Sequence, residues 1–142
     1  MKADILAPAA VLVLWTIVML VWTAATRLPA LKAAGIDMSK AVGGRGQDLE
    51  GVLPANINWK AHNYAHLVEQ PTLFYATVAI LAIMGQVSQS SVALAWAYVA
   101  LRIVHSLVQA TVNKIAWRFP IFVASSLVLL ALAVMALMRT IG

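Results

Sequence analysis

The chain has 142 residues, of which 63% are hydrophobic and only 11% charged, with a mean hydropathy of +0.88. That balance excludes an ordinary soluble globule and places the chain among membrane proteins. A formal charge of +5 needs no nucleic acid to explain it, since basic loop ends beside anionic lipid headgroups suffice, and the lack of cysteine removes disulfides, thiolate ligands and a cysteine nucleophile.

The first apolar run, Ile5 to Ala25, is long enough to cross a hydrocarbon core of about 30 Å as a helix, and it predicts a span near residues 5–26. A cleaved signal peptide is the rival. Lys2 gives it only a thin basic start, Asp4 dilutes that, and the run exceeds the usual 7–15 residues, roughly, of such a segment. Residues 27–60 then form the only long connection, read as a cytoplasmic lobe rather than a domain. Its Gly43-Gly44-Arg45-Gly46 turn invites a phosphate-loop reading, but the lysine and hydroxyl of a Walker sequence do not follow.

A second span is predicted near 61–85. To be long enough it must absorb His62, His66 and Glu69, which fall on one helical face at i, i+4 and i+7. A third is predicted near 91–113 and must absorb Arg102, His105 and Gln109, which with Asn113 again form a single stripe, with Tyr98 one turn before. The fourth, near 119–139, is bare. The fold expected is an all-α integral membrane protein, a four-helix bundle with two apolar and two functionalised spans. Small residues such as Ala76, Ala95 and Ser125 let its helices approach closely.

Arg27, Lys32, Lys40, Arg45, Lys60, Lys114 and Arg118 lie on one side of these spans, against Lys2 and Arg139 on the other. The asymmetry predicts cytoplasmic loops and external termini, in a plasma or inner membrane.

An arginine and a carboxylate within spans must face the interior or a cavity and find partners there. The spacing puts Glu69 and Arg102 at compatible depth, about 13–18 Å below the cytoplasmic loops, and predicts an ion pair between them. A structural clamp would use that pair alone. A polar cavity open to the cytoplasmic side would also use His62, His66, His105, Gln109 and Arg118. A metal held by His62, His66, Glu69 and His105 is a third reading, opposed by the cation at Arg102 and by the lack of a glutamate between paired histidines. The cavity suits an anionic, partly apolar ligand. Were that ligand a thiol, a positive group near its sulfur would favour the thiolate and attack on an electrophile dissolved in the bilayer.

"HNYAHLVEQPTLFYA" followed by "RIVHSLVQATVNKIAWRFPIF" resembles the paired signature of the MAPEG family, the membrane-associated proteins in eicosanoid and glutathione metabolism, here as a divergent, bacterial-type member. The resemblance extends over nearly the whole chain. It implies a homotrimer that binds glutathione between protomers and acts as a transferase or peroxidase on a hydrophobic substrate. Glu69 and Phe74 match the family's helix 2 pattern, and Pro71 arrives one position early. Arg102 and His105 fit its Arg-x-x-His pattern. Arg118 resembles the catalytic arginine that stabilises the thiolate, and His62, His66, Glu69, Arg102, His105 and Gln109 are the implied glutathione-binding positions. His62 stands where arginine is usual, His66 where asparagine is, and Gln109 where tyrosine is common. The alternative is a MAPEG-like protein with lost or changed catalysis, binding another amphipathic ligand or serving a structural role.

Overall fold

In the computed structural model, which describes residues 3–142, four helices follow one another: α1 (Leu6–Ala33), α2 (Ala55–Ile83), α3 (Gln89–Thr111) and α4 (Ile115–Ile141). Lys2 lies outside the described residues. All four are long and apolar enough to cross a membrane, and no strand occurs among the described residues. In hydrocarbon every backbone N–H and C=O must be bonded within the segment, which is why such runs become helices. The chain is thus an all-helical, multi-pass membrane protein that contacts lipid along its spans. At about 1.5 Å per residue, the 28 residues of α1 span about 42 Å, so its last turns reach beyond a core of about 30 Å.

Helix ends follow local chemistry. Ser88 caps α3 reciprocally with Ser91: the Ser91 N–H donates to Ser88 Oγ at 3.2 Å and the Ser88 N–H to Ser91 Oγ at 2.9 Å. α1 and α2 both stop at glycines with positive φ, Gly35 at 77° and Gly85 at 67°, a conformation that costs a residue without Cβ least. Pro54 precedes α2 and pre-sets its first turn. The start of α2 at Ala55, ahead of the predicted boundary, and the run of α1 through Pro29 to Ala33 shorten the connection to residues 34–54. Hydroxyls inside the spans are satisfied locally: Thr16, Thr23 and Thr77 each donate to the carbonyl four residues back.

α3 packs most extensively on α4, and α1 on α2. The pairs are joined through α2 against α3, with α1 also reaching α3 and α2 reaching α4. The core holds Leu12, Met19, Leu67, Phe74, Val78, Tyr98, Val99 and Leu132. Phe74 and Tyr98 stack with ring centroids 4.4 Å apart, a contact worth about 1 kcal/mol beyond the area it buries. By contrast Leu14, Val21, Leu127 and Leu130 on α1 and α4 are exposed, which is what a lipid-facing surface requires.

Polar bonds fix the rotation of the inner helices. Tyr98 Oη donates to Gln70 Oε1 at 3.1 Å, Gln70 Nε2 donates to Ser126 Oγ at 2.8 Å, and Ser126 Oγ donates to the Phe122 carbonyl at 2.8 Å. That chain links α3, α2 and α4. Closer to the loop, buried Asn63 Nδ2 donates to buried Ser106 Oγ at 2.7 Å.

The connection is strapped to the bundle by α1 and α2. Arg27 Nη2 donates to Asn58 Oδ1 at 3.1 Å and to the Gly46 carbonyl at 3.4 Å, while Asn58 Nδ2 donates to the Leu49 carbonyl at 3.1 Å. A short 3-10 turn, Gly46–Leu49, closes with the Arg45 N–H on Asp48 Oδ2 at 2.7 Å. At the exposed tip, the Ser39 hydroxyl and N–H both donate to Asp37 and hold its carboxyl below the ordinary value.

Candidate functional site

The buried face of α2 runs through Asn63, Leu67, Phe74, Val78 and Leu81. The stripe His62, His66 and Glu69 is rotated from it by one position, about 100°. Hence His62 and Glu69 are exposed on the protomer surface and His66 is half-buried. On α3 the stripe does face inward: Tyr98, Arg102, His105 and Gln109 are all buried.

Three elements converge on one cleft of about 230 Å³. His66 comes from α2, His105 and Gln109 from α3, and Ile115, Arg118, Phe119 and Phe122 from α4. The His66 and His105 rings stack at 5.1 Å between centroids, inclined by 26°, and Phe122 packs against both at 5.4 and 6.2 Å. Arg118 is half-buried, and its Nη1 donates to Asn113 Oδ1 at 2.8 Å. Asn113 adopts a φ of 52° at the tight α3–α4 turn, so the same residue reverses the chain and aims the guanidinium. One hydrogen bond leaves most of the five-donor fork available to a ligand.

Arg102 lies behind the cleft wall with no exposed surface. The ion pair expected with Glu69 does not form within the protomer. Instead Arg102 Nη2 sits 2.9 Å from His66 Nδ1 and 3.4 Å from the His66 carbonyl. The reason is the rotation of α2, which turns Glu69 outward and brings His66 to the arginine. Nε and Nη1 of Arg102, Nδ1 of His105 and Oε1 of Gln109 are buried without a hydrogen-bond partner in the protomer.

His62 is separated from this group. Its Nε2 donates to Glu50 Oε1 of the connecting loop, and it lines a second hollow of about 510 Å³ between α1, α2 and the loop, with Arg27, Arg45 and Tyr64. Among the described residues no group of three or more histidine or carboxylate side chains is arranged to hold a metal. Lys60 is also committed: its Nζ donates to the Ala110 carbonyl at 3.3 Å in the last turn of α3 and sits 5.1 Å from the Trp22 ring centroid. It ties three helices together, a placement favoured by the negative end of α3.

Chemically, the cleft offers a cation at its α4 edge, two imidazoles and an amide on its walls, and two phenyl rings. It can hold one anionic group against Arg118 and an apolar group against Phe119 and Phe122. Sequence reasoning placed Asn113 at the end of the α3 stripe without its turn-forming role, and missed Phe119 and Phe122. Asn113 sits one residue before Lys114, where the polar stripe of α3 ends, and the aromatics sit one and four residues after Arg118 on the next helix.

Comparisons with curated proteins and with solved structures return no match. The family model described as the MAPEG family matches residues 5–138, nearly the whole chain, and with four membrane-crossing helices in the same span the chain belongs to the MAPEG family.

Proposed function

We propose that the protein is a glutathione-dependent transferase or peroxidase-like enzyme acting on a hydrophobic electrophile delivered from the bilayer. The observation that carries this is Arg118, held by Asn113 at the edge of an aromatic cleft within a membrane bundle. A permanent cation beside a thiol stabilises the thiolate, the reactive form. The thiolate sulfur would form the new bond to the electrophilic carbon, whose displaced electron pair leaves with the departing group or is taken up by a proton.

The residues present fit one end of the tripeptide. Pockets for ligands of that class run from about 300 to 1,000 Å³, more than the cleft of about 230 Å³ within one protomer. The sulfur end would lie near Arg118 with His66, His105 and Gln109 around it, and the remainder would extend toward a neighbouring copy. A homotrimer supplies that neighbour, and it gives exposed Glu69 a protein surface instead of lipid, which a carboxylate within a span requires. The basic loops favour an orientation with the connection on the cytoplasmic side of a plasma or inner membrane.

A second reading has its own observation. Arg102 and His62 are engaged by His66 and Glu50, so two of the six binding positions implied for glutathione are committed to the protein itself. The cleft would then take another amphipathic anion without thiol chemistry. Adding glutathione to purified protein separates the two: the thiolate absorbance in the ultraviolet should rise and Arg118→Ala should abolish the rise. No binding at millimolar glutathione ends the enzyme reading.

A further inference from the structure

We propose that Arg102 is a positioning residue, which fixes His66 as the neutral imidazole protonated on Nε2 and so presents a preset N–H donor at the cleft wall. A guanidinium carries five donors and no acceptor. Arg102 Nη2 is 2.9 Å from His66 Nδ1, so that nitrogen must offer its lone pair. A proton on Nδ1 would set donor against donor in the neutral ring, and cation against cation in the imidazolium. The ring's single proton therefore sits on Nε2, while the hydrogen bonds of His66 to Arg102 use Nδ1 and the carbonyl.

Two further observations lock the arrangement. The same Nη2 reaches the His66 carbonyl at 3.4 Å, so one guanidinium nitrogen holds both the side chain and the backbone of His66. The ring itself is stacked on His105 and packed by Phe122, contacts that restrict its rotation. Arg102 is wholly buried and touches no carboxylate, so its role is exerted through His66 rather than on a ligand. Gln109 lines the same cleft, and its Oε1 is an acceptor buried without a partner in the protomer. The cleft thus offers a neutral donor, an acceptor and the Arg118 cation, a set suited to an amide or carboxylate oxygen near an anionic group.

The test is nitrogen NMR on the full chain in lipid nanodiscs, labelled with ¹⁵N-histidine, the His66 signals being identified by their loss in His66→Gln. At neutral pH the wild type should show Nδ1 of His66 unprotonated and Nε2 protonated, as a single tautomer. Arg102→Met, which keeps the length and loses the donors, should convert this to a mixture of tautomers. A protonated Nδ1 in the wild type overturns the proposal by itself, even if the variant does not assemble, and an unchanged tautomer in an assembled Arg102→Met overturns it as well. The measurement needs no ligand, so failure of glutathione to bind would end the enzyme reading and leave this one standing.

Discussion

Two arginines organise two regions of the molecule, and neither has a carboxylate partner among the described residues of the protomer. Arg27 sits where the connecting loop meets α1 and α2, and its partners are a neutral amide and a backbone carbonyl. Arg102 sits inside the bundle, and its partner is an imidazole on the wall of a cleft. Near the loop Arg27 is only half-buried, so water can reach part of its guanidinium even though Nε is buried without a partner, and Arg27 works as a strap. In the interior the same group must be satisfied by protein, and each bond it makes dictates the state of the acceptor. One arginine orders a chain segment and the other orders a functional group.

The sharpest way to break that contrast is at Arg102. Arg102→Ala removes the donors and opens a void, and should lower stability in detergent by about 3 kcal/mol, read from thermal or denaturant unfolding. Arg102→Met fills the space and removes a buried cation, so it should cost less than about 1 kcal/mol or even stabilise. Equal losses for both would mean the charge is needed for folding rather than for positioning.

Loop strapping should respond next. Asn58→Ala strips a partner from Arg27 and from the Leu49 carbonyl, an expected loss of about 1–2 kcal/mol with faster proteolysis within residues 34–54. Gly46→Ala should do the same more weakly, because the added Cβ would fall 2.9 Å from Arg27 Nη1 and push the flexible end of that side chain aside. If neither change raises cleavage, Arg27 is not the strap. His62→Ala removes a half-exposed pair with Glu50 and should cost less than about 1 kcal/mol.

Asp37→Asn is the smallest perturbation. Its folded carboxyl is held below the ordinary value by Ser39, so its contribution is present above the unfolded value and lost as pH falls through the folded one. A melting curve at neutral pH should fall only slightly for the variant, and that difference should shrink as pH falls through the folded value.

Legibility in the sequence was uneven for a physical reason. Four spans could be read from hydropathy because lipid imposes one solution on an apolar run. On α3 the polar stripe is also the buried face, and Arg102, His105 and Gln109 sit together. On α2 two polar stripes lie side by side, His62-His66-Glu69 and Asn63 with Gln70, and composition cannot say which one faces in. The structure turns Asn63 inward, and that rotation of about 100° decides that Glu69 points outward and that Arg102 meets His66. Asn63, Gln70 and Ser106 passed unnoticed, and Ser126 was read only as a small packing residue, because an amide or hydroxyl in a span looks ordinary until its partner on another helix is known.

The cleft wall from His105 to Phe122 is contributed by one helical hairpin, turned at Asn113. Its parts are close along the chain, so little loop-closure entropy opposes their meeting, and the hairpin can bring them together as soon as its two helices dock. Only His66 arrives from a distant segment. Completing the site therefore requires the docking of α2, and a change that misrotates that one helix would leave a well-formed wall lacking its opposite side.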